Sequence, residues 1–246
     1  MEKNAENRTA KKILFTSGKG GVGKSTLSTT FARVWRHEGK RVLMIDLDIS
    51  LRTLDIMLGI SDMVVYDWGD VLSENCEPEA AVINSGSLGL LAAPQGNFRI
   101  SDADMAKLLS YYEKNYDYII LDCPAGVGDV LNSVLNVTDM AIVISTPDSV
   151  CVRNAAVAAE RAVNQGVSAR LIINRFNRST VKNGRALNID EVIDATSTQL
   201  IGIVPEDMGL SLSILNGELI DADSKSVRAV KRIIKRLNGE YVPLKI

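Results

Sequence analysis

A chain of 246 residues, 24% charged and 46% hydrophobic, suits one α/β domain that buries roughly 70–75% of its unfolded surface. A formal net charge of -2 argues against a general nucleic-acid binder, whose domain would be clearly basic. Cys76, Cys123, Cys151 and the single His37 show neither a disulfide framework nor zinc-ligand spacing, and fit a reducing cytoplasm.

Met1 to Lys11 is polar and reads as a frayed tail before one domain spanning 12–246. No signal peptide or spanning helix is expected, because no apolar run approaches the roughly 18 residues that a membrane span needs. From Lys12 to Thr16 a β-branched and aromatic run enters Ser17-Gly18-Lys19-Gly20-Gly21-Val22-Gly23-Lys24-Ser25-Thr26, and helical spacing follows at Leu27, Phe31, Val34 and Trp35. Gly18, Gly23, Lys24 and Ser25 satisfy G-x-x-x-x-G-K-[ST]. Small residues there let successive backbone N–H groups turn toward phosphate oxygens, and the helix N-terminus adds its positive end. Lys24 would reach the β/γ-phosphates and Ser25 would offer a hydroxyl to Mg²⁺. Lys19 is a second cation on this loop, serving the same nucleotide or a neighbouring subunit's; a solvated surface lysine is the plain alternative.

Further buried-strand runs are Arg41–Asp46, Leu88–Ala93, Tyr118–Asp122, Met140–Ser145, Ala169–Asn174 and Leu200–Val204. Helical patterns fall at Ser101–Lys114, Val152–Asn164, Ile189–Thr196 and a basic Ser224–Leu237. Strands alternating with helices predict a single doubly wound, mainly parallel α/β sheet flanked by helices, with ligands at the carboxyl ends of the strands. Ser50 to Ser85 is less regular and is expected to be a mobile excursion beside the nucleotide.

Asp46 and Asp48 close the second strand, Asp122 a later one, and Asn174 with Arg175 another. Acids gathered beside a phosphate loop are what Mg²⁺ and an attacking water require, although a single Asp at a strand end is often only a helix cap. Asp122-Cys123-Pro124-Ala125-Gly126 could change course with the γ-phosphate or stand as a rigid turn. The Asn174 amide could read adenine, and Val204-Pro205-Glu206-Asp207 could wall the base or be an ordinary turn.

These residues carry a resemblance that runs from about Lys12 to Leu244. The loop from Lys19 to Thr26 resembles the deviant Walker A loop of the MinD/ParA ATPases, in which the extra lysine is the signature. Asp46-Leu47-Asp48-Ile49-Ser50-Leu51-Arg52-Thr53-Leu54-Asp55 is similar to the MinD form of its segment, as are Val65-Tyr66-Asp67, Thr146-Pro147-Asp148, Asn174-Arg175 and Gly202 to Asp207. The resemblance implies a P-loop ATPase that binds ATP/ADP and Mg²⁺ and forms an ATP-dependent homodimer in which Lys19 serves the partner's phosphates. On that carry-over Lys24 holds phosphate, Ser25 ligates Mg²⁺, Asp48 orients water, and Asp122 and Asp46 support the metal. Gly18, Gly20, Gly21, Val22, Gly23, Thr26, Asn174, Arg175, Pro205 and Glu206 complete the nucleotide site. It further implies a switch in cell-division site placement, cycling on and off the membrane with a division-inhibitor or activator partner.

Thr53 and Cys123 stand where such proteins commonly have Asn and Ser, and Arg153-Asn154-Ala155-Ala156 lacks the acids that usually follow this arginine. Val242-Pro243-Leu244 is followed only by Lys245 and Ile246, so the usual amphipathic anchor is expected to be absent. The basic segment from Ser224 to Leu237 could replace it only if its apolar face is free, and docking on the sheet is the expected arrangement. The alternatives are a ParA-like or flagellar-number positioning ATPase acting on DNA or a protein partner, and a P-loop kinase, for which the sequence carries no acceptor or lid signature.

Overall fold

Continuous apolar runs dictate the centre of the molecule, because a strand covered on both faces has no polar side to present. The computed structural model describes residues 9–96, 98–218 and 220–245. Residues 1–8 of the expected tail lie outside the described residues, and the boundary falls earlier than position 11, since Ala10 is buried and Lys11 opens the first strand. In chain order the elements are β1 (Lys11–Thr16), α1 (Lys24–His37), β2 (Val42–Asp46), α2 (Leu54–Leu58), α3 (Trp68–Leu72), β3 (Val82–Ser85), β4 (Leu88–Leu91), α4 (Asp102–Tyr112) and β5 (Tyr118–Asp122). They continue through α5 (Asp129–Leu135), β6 (Met140–Ser145), α6 (Ser149–Asn164), β7 (Ser168–Phe176), α7 (Arg178–Lys182), α8 (Ile189–Thr196), β8 (Leu200–Pro205), α9 (Met208–Leu215) and α10 (Lys225–Leu237).

The eight strands form one sheet in the order β3-β4-β2-β5-β1-β6-β7-β8, parallel except for the edge pair β3–β4. Crossover helices cover both faces, as parallel pairing demands. The apolar sides of α1, α9 and α10 pack with Leu54 of α2 in one core, and those of α3, α4, α5 and α6 in the other. Side chains start the helices where the sequence offers them: Ser101 with Asp104 and Asn188 with Glu191 form reciprocal caps at α4 and α8.

One expectation changes and another, the docking of α10 on the sheet, holds. The stretch from 50 to 85 is built into the fold as α2, α3, two 3-10 turns and β3, with Trp68 and Leu54 fully buried. An Asp67–Asp70 capping box starts α3, which brings the Trp68 indole N–H to the Asp46 carbonyl at 2.8 Å. The apolar face of α10 is covered rather than free. Val227, Val230, Ile233 and Ile234 are all buried, and Ile233 sits so close over Gly202 of β8 that a side-chain carbon at Gly202 would collide with it. That face is therefore closed to a bilayer. Among the described residues, no helix is long and apolar enough to cross a membrane.

Candidate active site

The residues between β1 and α1 turn tightly because Gly21 and Gly23 hold φ of 80° and 90°, a region that favours glycine. Two neighbours fix the loop. Asn174, at the end of β7, donates its amide N–H to the Val22 carbonyl at 2.8 Å, and the Gly126 N–H donates to the Ser17 carbonyl at 2.9 Å. Gly18 lies against the backbone of Asn154 in α6, where any β-carbon would overlap it.

At the start of α1, Lys24 is buried, and its Nζ lies 3.0 Å from Asp122 Oδ2, a carboxylate only 1% exposed. Ser25 donates its hydroxyl to the same oxygen at 2.6 Å, and Lys24 Nζ reaches Ser25 Oγ at 3.1 Å. Asp122 Oδ1 is buried and has no hydrogen-bond partner among the described residues. A buried carboxylate oxygen without a donor, beside a serine hydroxyl, suits a hard cation. Mg²⁺ commonly takes one or two protein oxygens and completes its shell with water and phosphate. Among the described residues no three Asp, Glu, His or Cys side chains converge as a metal cluster. The structure thus brings Ser25 and Asp122 of the expected metal set into contact, while Asp46 and Asp48 lie on the adjoining segment and accept backbone N–H groups.

Asp46 faces Asp122 in register across β2 and β5. Its Oδ1 accepts from the Asp48 N–H at 2.9 Å, and its Oδ2 from the Thr53 and Leu54 N–H groups, each at 3.1 Å. Both oxygens are therefore engaged by backbone, and Asp46 acts as the pin of the segment carrying Asp48. Asp48 itself is half-buried, and its Oδ1 accepts from the Leu51 N–H at 3.2 Å. Burial, and then the Asp122 charge, push the Asp46 carboxyl up to about 7. The folded protein holds this proton up to about pH 7, whereas an aspartate at its ordinary 3.8 has released it. Unfolding then liberates a proton between those limits, and this group's contribution to stability falls as pH rises from about 4 to about 7. Asp46→Asn is expected to flatten that slope in chemical denaturation of the nucleotide-free protein; an unchanged slope would place its origin elsewhere.

Lys19 is exposed, and its amine makes no hydrogen bond or salt bridge among the described residues, in contrast to Lys24. Gly20 lies beside Ala125, linking the phosphate loop to the loop after β5, while Thr26 is half-buried in the first turn of α1. On the side expected to take the base, Asn174, Arg175, Pro205, Gly23 and Thr26 line a crevice of about 20 Å³, too small for a purine as it stands. Glu206 is outside that lining; its N–H donates to the Phe176 carbonyl at 3.2 Å. The sequence reading missed Trp68 and Asn154, which act on this site through backbone contacts. The Asp-x-x-Asp pattern ahead of α3 was the available signal for the first; none existed for the second.

A glycine-rich loop leading from a parallel strand into a helix, with its lysine buried against an aspartate at the next strand end, defines a P-loop nucleoside triphosphatase. A family model described as ParA, NUBPL iron-transfer P-loop NTPase, matches residues 8–237. The septum site-determining protein MinD of Helicobacter pylori is 35% identical over 244 residues, covering 94% of this chain and 91% of that protein. MinD of Bacillus subtilis is 32% identical over 244 residues, with 95% and 91% covered. The chain belongs to the MinD family, ATPases of cell-division site placement. Among solved structures, the MinC:MinD cell division protein complex of Aquifex aeolicus matches with a TM-score of 0.87 and 34% identity, over 96% of this chain and 99% of that one. MinD of Pyrococcus horikoshii complexed with Mg-ADP matches in fold, with a TM-score of 0.83 at 23% identity over 93% and 96% of the two chains.

Proposed function

We propose that this chain is a nucleotide-timed spatial switch: two copies pair on ATP, each supplying Lys19 to the other's phosphates, and hydrolysis separates them. The observation that carries the reading is the contrast between two lysines on one loop. Lys24 is buried and neutralised within its own chain, whereas Lys19 projects to solvent without a salt bridge among the described residues, the Asp148 carboxylate being near enough to feel its charge. A charge delivered from outside is worth most where negative charge accumulates on the transferred phosphoryl group.

In this reading Lys24 holds the β/γ-phosphates, and the backbone N–H groups from Gly20 to Ser25 cradle them. Ser25 and Asp122 hold Mg²⁺, which would offset phosphate charge when bound. Asp48, carried on the segment pinned by Asp46, orients the water. Asn174, Arg175, Pro205 and Glu206 would surround the base once the crevice opens. The Mg-ADP bound in the Pyrococcus horikoshii neighbour supports this ligand. The Aquifex aeolicus complex supports a division-inhibitor partner of the MinC kind.

Specific ATPase activity is expected to rise steeply with protein concentration and then level off. A specific rate constant across the monomer–dimer range would remove the pairing requirement. Reversible membrane association from a cytoplasmic pool belongs to the same proposal, through a surface other than the covered face of α10. Sedimentation with anionic liposomes should retain the chain with ATP and release it with ADP; retention in neither state would argue for a switch that acts away from lipid.

A further inference from the structure

A half-open cavity of about 470 Å³ lies at the end of α1 remote from the phosphate loop, lined by residues of α1, α2, β3, β4 and α10 and by Gly217, Ile220 and Ala222. The 14 residues of α1 place it about 20 Å from Lys24 along the helix axis. Val34, Leu88 and Leu90 form an apolar floor, and Leu58 and Ile220 close it from above. Its polar lining is of one sign. The cations Arg33, Arg36 and Lys231 border it, with His37 beside them, and among the described residues no Asp or Glu does.

Those cations lack counter-charges. Arg33 donates to the carbonyls of Met57 and Glu218 at 3.1 and 2.6 Å, and Lys231 to that of Ala222 at 3.1 Å, all neutral acceptors. Arg36 is exposed and lies against Gly86; neither it nor the exposed His37 makes a hydrogen bond or salt bridge among the described residues. The acids of the neighbouring segment, Glu218, Asp221 and Asp223, are exposed and outside the lining. Burial and the neighbouring Arg36 both lower the Arg33 guanidinium from its ordinary value, as expected of cations gathered without an anion.

We propose that this cavity binds an anionic amphiphile: an acyl or alkyl chain on the apolar floor, with a carboxylate or phosphate head held by Arg36 and His37 at the rim. Its volume lies within the range of small-molecule sites, which are mostly apolar with a few placed polar groups. A bare phosphate would leave the floor unused, and an uncharged alkane would leave the cations unanswered.

The probes are decanoate, decyl phosphate and neutral decanol, each below its micelle concentration, titrated calorimetrically into the full chain. Saturable binding of both anions is expected, with decanol about tenfold weaker or more, the scale of a charge-assisted hydrogen bond. Arg36→Ser combined with His37→Ala should erase the preference for the anions over decanol. Ala222→Trp, which fills the rim without touching the nucleotide machinery, should abolish binding of all three while basal ATPase activity persists, showing that the variant is folded. Phosphatidylglycerol vesicles separate the two sources of such a head. Capture that decanoate competes away and Ala222→Trp removes assigns a bilayer lipid; decanoate binding without capture assigns a free acyl anion. Absence of saturable binding, equal affinity for decanol, or wild-type binding by Ala222→Trp each overturns the proposal.

Discussion

Lys19→Ala is expected to lower ATP turnover by about 10³-fold or more, on the scale of a cation supplied in trans, while nucleotide affinity changes little. The side chain is exposed and unbonded, so its removal leaves no orphaned partner and no cavity in the fold. A loss of rate therefore reports on chemistry rather than on stability. Mixing two inactive variants distinguishes a lysine acting across the pair from one acting within its own chain. In a mixed pair of Lys19→Ala and Asp48→Ala, the protomer with intact Asp48 receives Lys19 from its neighbour, so turnover should return. A lysine acting within its own chain gives no recovery.

The largest effect on stability is expected at the buried pair beneath the loop. Asp122→Ala leaves the Lys24 ammonium buried without a counter-charge and takes the acceptor from Ser25, which should cost about 3–5 kcal/mol in the nucleotide-free protein. Lys24→Met strands the Asp122 carboxylate in the same way. The double variant Lys24→Met with Asp122→Leu removes both charges together, and its loss should be much smaller than the sum of the two single losses. Urea denaturation of the four proteins measures this directly; additive losses would mean that the two side chains do not depend on one another.

Most of the sheet was legible in the sequence because its strands are short apolar runs with no competing period. Tyr118–Asp122 and Met140–Ser145 appear where their composition places them, and Ile189–Thr196 begins where Asn188 and Glu191 can cap it. The phosphate loop was legible because its chemistry demands small residues and a lysine at fixed spacing. Where these signals are short the reading failed. Helices α2 and α3 have five residues each, too few for a 3.6-residue period to emerge, and β3 exposes half of its four residues. Asn177 caps α7 without announcing a five-residue helix, and α9 carries apolar residues on several sides, with Leu212 and Leu215 exposed. Roles created by tertiary contact were not legible at all. The Asn174 amide N–H meets the carbonyl of Val22, 152 positions away, a contact that no local pattern announces. The oxygens of Asp46 gather backbone N–H groups whose direction only the folded turn determines.

The seat of Gly18 on Asn154 bears on how a second protein could be sensed. Arg153, the residue before it on α6, is open to solvent, so this turn of the helix joins the protein surface to the phosphate loop. A shift of α6 at that turn would have to be taken up by Gly18, which has no room even for a β-carbon.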